Sequence, residues 1–451
     1  MTKRAIMWFR RDLRINDHPA LCKAAELGEV VPLFILDEKL IKSAGSKRLS
    51  YLANSLRALD DSLANKLNVA IGQPDQVLKK YQEHYQADSI HITEEFEPYG
   101  AKRDAKIIAA GIKLTKTGTP YAVAPGSVRK PTDGTPYRVY TPFYKGWSTF
   151  QIPKPYLKPA NLKLAEPIDR NFPDWKAPAG SQVFKAGEIA AHARFKQFST
   201  AALSQYDVAR NLAGIDGTSK MSAHLKWGEV HPRTLLLQLN QTKAHEVYRK
   251  EIAWREFYAD VLFHNSHTDW DYYAGQFSKM KYDEPGEKFK AWCEGKTGFP
   301  FVDAAMRQLL IEGWMHNRTR MVVASFLVKD LHIEWQHGAK HFMEHLIDFD
   351  MASNSHGWQW TAGCGTDASP YYRVFNPIEQ GKKFDENGDY VRKYVPELAH
   401  LQGIEIHEPW LVIDGYSNGY PNQIVDHAKE RIESLARLEE IKMRKPEMPK
   451  K

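Results

Sequence analysis

Through the first quarter of the chain, short apolar runs alternate with amphipathic stretches. Ala5 to Phe9 (AIMWF) predicts a strand, His18 to Leu27 a helix, Val30 to Leu36 (VVPLFIL) a buried strand and Leu49 to Leu67 a long helix. Val69 to Ile71, Ser89 to Ile92 and Lys113 to Thr115 predict further short strands with helices between them. A strand covered on both faces needs apolar side chains on both, so it reads as a run rather than an alternation. This βαβα order predicts an α/β domain with a parallel, Rossmann-like sheet and helices on both sides. From Tyr121 to Lys185 proline and glycine accumulate, which predicts a long connector over a surface. From Ala186 onward helical periodicity dominates, as in Phe301 to Glu312, Arg318 to Leu331 and Lys340 to Ile347, with Gly338 just outside the last. The expected organisation is an α/β domain over 1–125, a linker over 126–185 and a larger all-α domain over 186–445. The final residues, IKMRKPEMPKK, are basic and aperiodic and read as a solvated tail rather than a nucleic-acid arm.

Composition narrows the class. The chain has 451 residues, too many for one core, so several domains are expected. No run of about 18 apolar residues exists, so no membrane span is expected. The first residues, MTKRAIMWFRRDLR, do not read as a signal peptide. Three scattered cysteines without a CxxC suit a reducing, cytoplasmic setting. The net charge of +7 is compatible with a polyanionic partner without requiring one. No GxGxxG follows the first strand and no GxxxxGK(S/T) occurs, so neither an ordinary dinucleotide site nor a P-loop is supported. Twelve tryptophans and 21 tyrosines fill cores, but such rings also stack on bases or flavins and pass electrons, so their placement must decide.

Four stretches carry candidate chemistry. In residues 206–233, Gly217 is read as a tight turn, followed by Thr218, Ser219, Lys220 and Ser222 before a helix through Leu225 to Trp227. Hydroxyls, amides and a cation at a helix start suit a phosphate, although Thr-Ser runs also serve as plain caps. In EIAWREFYADVL, Glu251, Trp254 and Tyr258 fall near one helix face, which is either core or a base-stacking surface with an acceptor. In residues 297–331 two helices meet at Gly313, and MHNRTRM gathers His316, Asn317, Arg318, Arg320 and Met321, as a ligand mouth or a surface turn. In DFDMASNSHGWQWTAGCGTD, Asp348 and Asp350 precede Asn354, Trp358 and Trp360, with small residues behind. His337, His341 and His345 recur at i, i+4 and i+8; without an HExxH they read as a solvated face, and no metal is expected.

The motifs WFRRDLR, GTSKMS, WREFY, VDAAMRQL, GWMHNR, ASFLVKDL, GWQW and FNPIEQGKKF occur in an order that resembles the DNA photolyase/cryptochrome family over nearly the whole chain, and most the class I cyclobutane pyrimidine dimer photolyases. The resemblance implies FAD, reduced in the active form, inside the helical domain. It implies that Tyr206, Thr218, Ser219, Lys220, Met221 and Ser222 hold the phosphates and ribityl chain. Asp348, Phe349 and Asp350 line the rings, Arg320 pairs with Asp348, and Asn354 faces flavin N5. It implies DNA containing pyrimidine dimers as partner. Glu251, Trp254, Asn317, Arg318, Met321 and Trp360 then line the pocket, with Tyr258 beside them and Arg210 and Gln380 near the DNA backbone. It implies an enzyme, a carbon–carbon lyase: excited reduced FAD lends one electron to the flipped-out dimer, which opens. Flipping costs less for an already damaged pair.

The resemblance also assigns an electron-transfer chain: Trp358 next to the flavin, Trp335 in the middle, and an outer tryptophan where this sequence has Tyr282. A tyrosine that loses an electron usually sheds a proton too, so slower photoreduction, or exit through Trp270 or Trp292, is expected. Two alternatives are weighed. A cryptochrome, a blue-light sensor, often carries a long C-terminal extension, and the chain beyond Phe384 only completes the family core. Plant cryptochromes also carry an aspartate where this chain has Asn354. A six-four photolyase carries two histidines where this chain has Asn317 and Met321. For the antenna, Tyr99 and Gly100 stand where folate binders have Asn-Glu, which favours a deazaflavin near Ser46, Lys47 and Arg48. A flavin antenna or an empty site are the alternatives. A monomer is expected.

Overall fold

The computed structural model describes residues 3–182, 184–367 and 372–443; the tail from 444, and the boundary expected at 445, lie outside them. The chain divides into two compact units, Met1–Asp207 with Thr218–Ser266 and Met343–Ser353, and Val208–Gly217 with His267–Phe342 and Asn354–Lys451.

The first unit contains the sheet. Its strands are β1 (Arg4–Phe9), β2 (Glu29–Leu36), β3 (Asn68–Ile71), β4 (Ser89–Ile92), β5 (Leu114–Lys116) and β6 (Lys163–Leu164). All pairings are parallel, in the order β3-β2-β1-β4-β5, with β6 also on β2. Two apolar layers cover the faces. Leu21, Leu52, Leu56 and Leu59 pack on one, and Leu78, Tyr81, Ile107 and Ile112 on the other. Pro32 in the middle of β2 would normally break a ladder. Here β6 pairs with Glu29 and Val30, and β3 pairs from Leu33 onward, so Pro32 falls in the gap between them. Asn68 Nδ2 donates to the Pro32 carbonyl at 3.1 Å and fills that gap.

The helix expected over Leu49 to Leu67 runs Ser46–Ser62. It stops because Ala64 and Asn65 take left-handed φ of 51° and 62°, and Asp60 Oδ1 accepts from Leu67 N–H at 3.0 Å. The connector is more than surface coil. It contributes the helix Tyr140–Trp147 and strand β6. Two buried carboxylates fix its start: Glu256 accepts from Val123 N–H and Trp147 Nε1, and Asp260 from Gly126 N–H.

The second unit is helical. Helix Pro300–Glu312 ends at Gly313, φ 66°, and His316 Nδ1 accepts from Arg318 N–H to start Asn317–Ser325. The expected α-helix to Leu331 is replaced after Ser325 by a wider π turn, Phe326–Asp330. The helix expected to begin at Lys340 is Trp335–His345 and contains Gly338. A Cβ at Gly338 would lie 2.2 Å from Trp358 Cη2 and 2.6 Å from Leu327 Cδ2, so glycine there makes room for the indole. Among the described residues no helix is long and apolar enough to cross a membrane.

Candidate functional site

In open parallel sheets, ligands usually bind where strand order reverses, here beyond the carboxyl ends of β1 and β4. In this chain that place is filled by charge. Arg10 reaches both carboxylate oxygens of Asp104 at 2.8 and 2.9 Å and also the Thr93 carbonyl. Asp12 accepts from Thr93 Oγ1 at 2.6 Å and faces His18 Nε2 at 3.1 Å. Arg103 pairs with Glu95 at 2.6 Å. Burial alone would raise Glu95, but Arg10, Arg103 and Arg11 bring it down to about 2. Sequence reading missed this cluster, whose members are up to 94 residues apart in the chain.

Two of the stretches read as phosphate and ring contacts, 218–222 and 348–350, also lie in the first unit. Arg194 Nε and Nη2 donate to the carbonyls of Ser219 and Thr218 at 2.9 and 2.7 Å. A trans peptide points its N–H opposite its carbonyl, so the amides of Ser219 and Lys220 point away from that cation. Lys220 has φ 53°, and the left-handed turn is there. Gly217, read as the turn, is not left-handed; in its own unit a Cβ would meet the Ala209 carbonyl oxygen at 2.7 Å, so it serves close approach. Successive amides around a left-handed residue form an anion-binding concavity. Tyr206 is buried edge-on against Phe198 and Tyr248. Asp348 and Asp350 are buried. Asp350 pairs with Arg11, which also holds Glu97. Burial would raise the Asp350 carboxyl, but Arg11, Arg255 and Lys226 hold it well below the usual range. Arg48, expected near an antenna, is buried: it donates to the Leu346 carbonyl at 3.2 Å and sits 5.1 Å over the Phe349 ring. Ser46 is exposed and Lys47 half-buried. Tyr99 donates to Asp37 at 2.5 Å.

Glu251, Trp254 and Tyr258 are half-buried along helix Lys243–His264. Tyr140 stacks on Trp254 with ring centroids 3.7 Å apart and planes 10° off parallel. Its hydroxyl donates to the Lys250 carbonyl at 2.7 Å, which fixes the stack. Sequence reading missed Tyr140, although Tyr140, Phe143, Tyr144 and Trp147 carry the i, i+3, i+4, i+7 signal of a helix inside the connector.

In the second unit, Arg318 Nη2 donates to Asn211 Oδ1 at 2.7 Å and its guanidinium lies 4.4 Å over Phe384. Asn317 and Met321 share its helix; Arg210 and Gln380 are half-buried. Arg320 Nε donates to the Met315 carbonyl at 2.9 Å. Trp360 Nε1 donates to the Asp367 carbonyl at 3.1 Å. Asn354 Nδ2 donates to the Ala339 carbonyl at 3.1 Å, which turns Oδ1 the other way as an acceptor. Trp358 packs against Phe342 at 5.0 Å and Trp292 at 6.1 Å. Trp335 is fully buried with Tyr272 edge-on at 6.2 Å. Tyr282 is half-buried. The three histidines do not form one solvated face. His337 is exposed, His345 half-buried, and His341 is buried against Trp292 at 5.4 Å.

Known proteins share this architecture. Residues 5–160 match the DNA photolyase family model, and residues 248–440 match the FAD binding domain of DNA photolyase. A deoxyribodipyrimidine photo-lyase of Alkalihalophilus pseudofirmus is 36% identical, over 95% of this chain and 96% of its own. A bacterial class III photolyase structure from Agrobacterium tumefaciens superposes with a TM-score of 0.91 at 35% identity, over 98% of each chain. A cryptochrome structure from Synechocystis superposes with a TM-score of 0.87 at 27% identity, over 97% of this chain and 99% of its own. With sheet, helical unit and full-length relatives in agreement, the chain belongs to the DNA photolyase/cryptochrome family and carries that family's FAD-binding domain.

Proposed function

We propose that this protein is a deoxyribodipyrimidine photo-lyase that opens cyclobutane pyrimidine dimers in DNA in the light. The observation that carries the reading is the Trp254 ring, half-buried on the face with Glu251 and Tyr258 and backed by Tyr140. A ring braced on one side is suited to stack a flipped pyrimidine pair, and Glu251 is suited to hydrogen-bond a base edge. Two features support FAD as the group to be held. The amides of Ser219 and Lys220 point away from Arg194 around the left-handed Lys220, an arrangement suited to an anion such as a diphosphate. Asn354 offers Oδ1 as an acceptor, which suits a flavin whose N5 carries a proton. What FAD supplies when bound and reduced is one electron, lent in the light and returned, so there is no net redox change. The chain's own work is to bind and orient. Tyr206 and residues 218–222 hold phosphate and ribityl, Asp348, Phe349, Asp350 and Arg320 hold the rings, and Asn354 faces N5. Asn317, Arg318, Met321 and Trp360 are assigned to the lesion, and Arg210 and Gln380 to the DNA backbone. Trp358, Trp335 and Tyr282 serve reduction of the cofactor rather than repair.

Domain boundaries at 125 and 185, class I specificity, a deazaflavin-type antenna, a monomeric state and a cytoplasmic location belong to the same proposal. A sensor role is the second reading, carried by the likeness to the Synechocystis cryptochrome. Dark binding tests the substrate. The protein should prefer an oligonucleotide with one thymine dimer over its undamaged twin. Trp254→Ala should weaken dimer binding by about 1–3 kcal/mol, the worth of one stacked base. Equal affinity for both oligonucleotides would contradict the reading.

A further inference from the structure

The sequence puts Tyr282 where the family's outer tryptophan stands, but the ring packed edge-on against Trp335 is that of Tyr272, at 6.2 Å and 86°. Tyr272 is buried, and its hydroxyl donates to Glu334 Oε1 at 2.7 Å. The loop that carries it is pinned: Gln359 Nε2 donates to the Thr268 and Asp271 carbonyls at 3.1 Å each, and Gln359 Oε1 accepts from Tyr273 N–H at 2.7 Å. Trp335 Nε1 and Trp358 Nε1 are buried and have no hydrogen-bond partner among the described residues. An oxidised Trp335 therefore has no base hydrogen-bonded to its indole N–H among the described residues, and its hole is filled by an electron. A phenol gives up an electron far more readily when a base takes its proton at the same time, and among these rings Tyr272 has that base.

We propose that Tyr272, with Glu334 as its proton acceptor, is the residue that re-reduces oxidised Trp335. The inference rests on the reading of Trp358 and Trp335 above. One electron passes from Tyr272 to the Trp335 radical cation. The Tyr272 O–H bond breaks, and the proton forms a new O–H bond on Glu334. Tyr272 is left as a neutral tyrosyl radical and Trp335 is restored. The initial oxidant is a light-excited oxidised flavin; a soluble thiolate later supplies one electron, becoming a thiyl radical, as Glu334 returns the proton to Tyr272.

The test uses full-length protein with oxidised FAD and no DNA, flashed with blue light and followed by transient absorption and electron paramagnetic resonance. The expected result is a neutral tyrosyl radical that forms more slowly in heavy water. It should be absent in Tyr272→Phe, which keeps the ring against Trp335, and should form about 100-fold more slowly in Glu334→Gln, which keeps the shape but removes the base. Flavin content and circular dichroism confirm that each variant folds. If Tyr272→Phe does not fold, the Glu334→Gln rate decides. A radical that survives Tyr272→Phe but disappears in Tyr282→Phe would overturn the inference, as would an unchanged rate in Glu334→Gln. Either outcome leaves the repair reading standing. Conversely, failure of repair with pre-reduced flavin does not touch this assay.

Discussion

The carboxyl end of the sheet in the first unit and the ring cluster of the second treat buried polar groups in opposite ways. Beyond β1 and β4, Arg10, Arg103, Glu95 and Asp104 are buried or nearly so and meet opposite charge. Around Trp335 and Trp358 the neighbours are rings, and the two indole N–H groups point at no acceptor among the described residues. Paired charge fixes position, because moving one partner strands the other in low dielectric. An unpaired, apolar ring cluster does the reverse. Among the described residues neither indole N–H has an acceptor to hold it, so the two rings are placed by packing alone. The first arrangement is held by charge and the second by the shape of its rings.

The comparison can be broken at its stiff end first. Asp104→Asn removes the nearer of the two carboxylates beside buried Arg10, leaving Glu95 at 3.6 Å, and should cost about 3 kcal/mol in urea unfolding. A loss below 1 kcal/mol would mean that the cluster is hydrated in solution. The same end should respond to acid. Glu95 has its folded pKa lowered to about 2, below its ordinary 4.5, so between those values the unfolded chain binds more protons. Its contribution is therefore present above about pH 4.5 and falls as pH drops toward 2, by roughly 2–3 kcal/mol. Glu95→Gln should flatten stability across that window, and an unchanged pH slope would contradict the assignment. At the ring end, Gly338→Ala places a methyl 2.2 Å from the Trp358 ring and should cost about 1–3 kcal/mol, with altered tryptophan fluorescence. Wild-type stability and emission would show that the indole does not lie over that helix.

The sheet was legible because strands buried on both faces appear as unbroken apolar runs, and the predicted strands fall within a residue or so of those observed. The stop at Gly313 was legible because cap chemistry is local, whereas the cap supplied by His316 was not read and the next helix was expected only from Arg318. What was not legible depends on distant partners. Gly338 looked like a helix breaker until Trp358 gave it a packing reason. The Arg10–Asp104 pair spans 94 residues and has no local signature. Tyr140 was hidden by the prolines and glycines around it, although its own spacing was helical. Tyr282 drew attention through the resemblance, while Tyr272, which carries the contact with Trp335, matched no motif.

Light-driven repair can be read out from the lesion itself. Protein with its flavin reduced is mixed with an oligonucleotide carrying a single thymine dimer, and intact thymines are counted after blue light and after an equal time in the dark. The expected result is recovery of both thymines in the light and none in the dark. A dimer that survives illumination in the presence of bound, reduced FAD would contradict it.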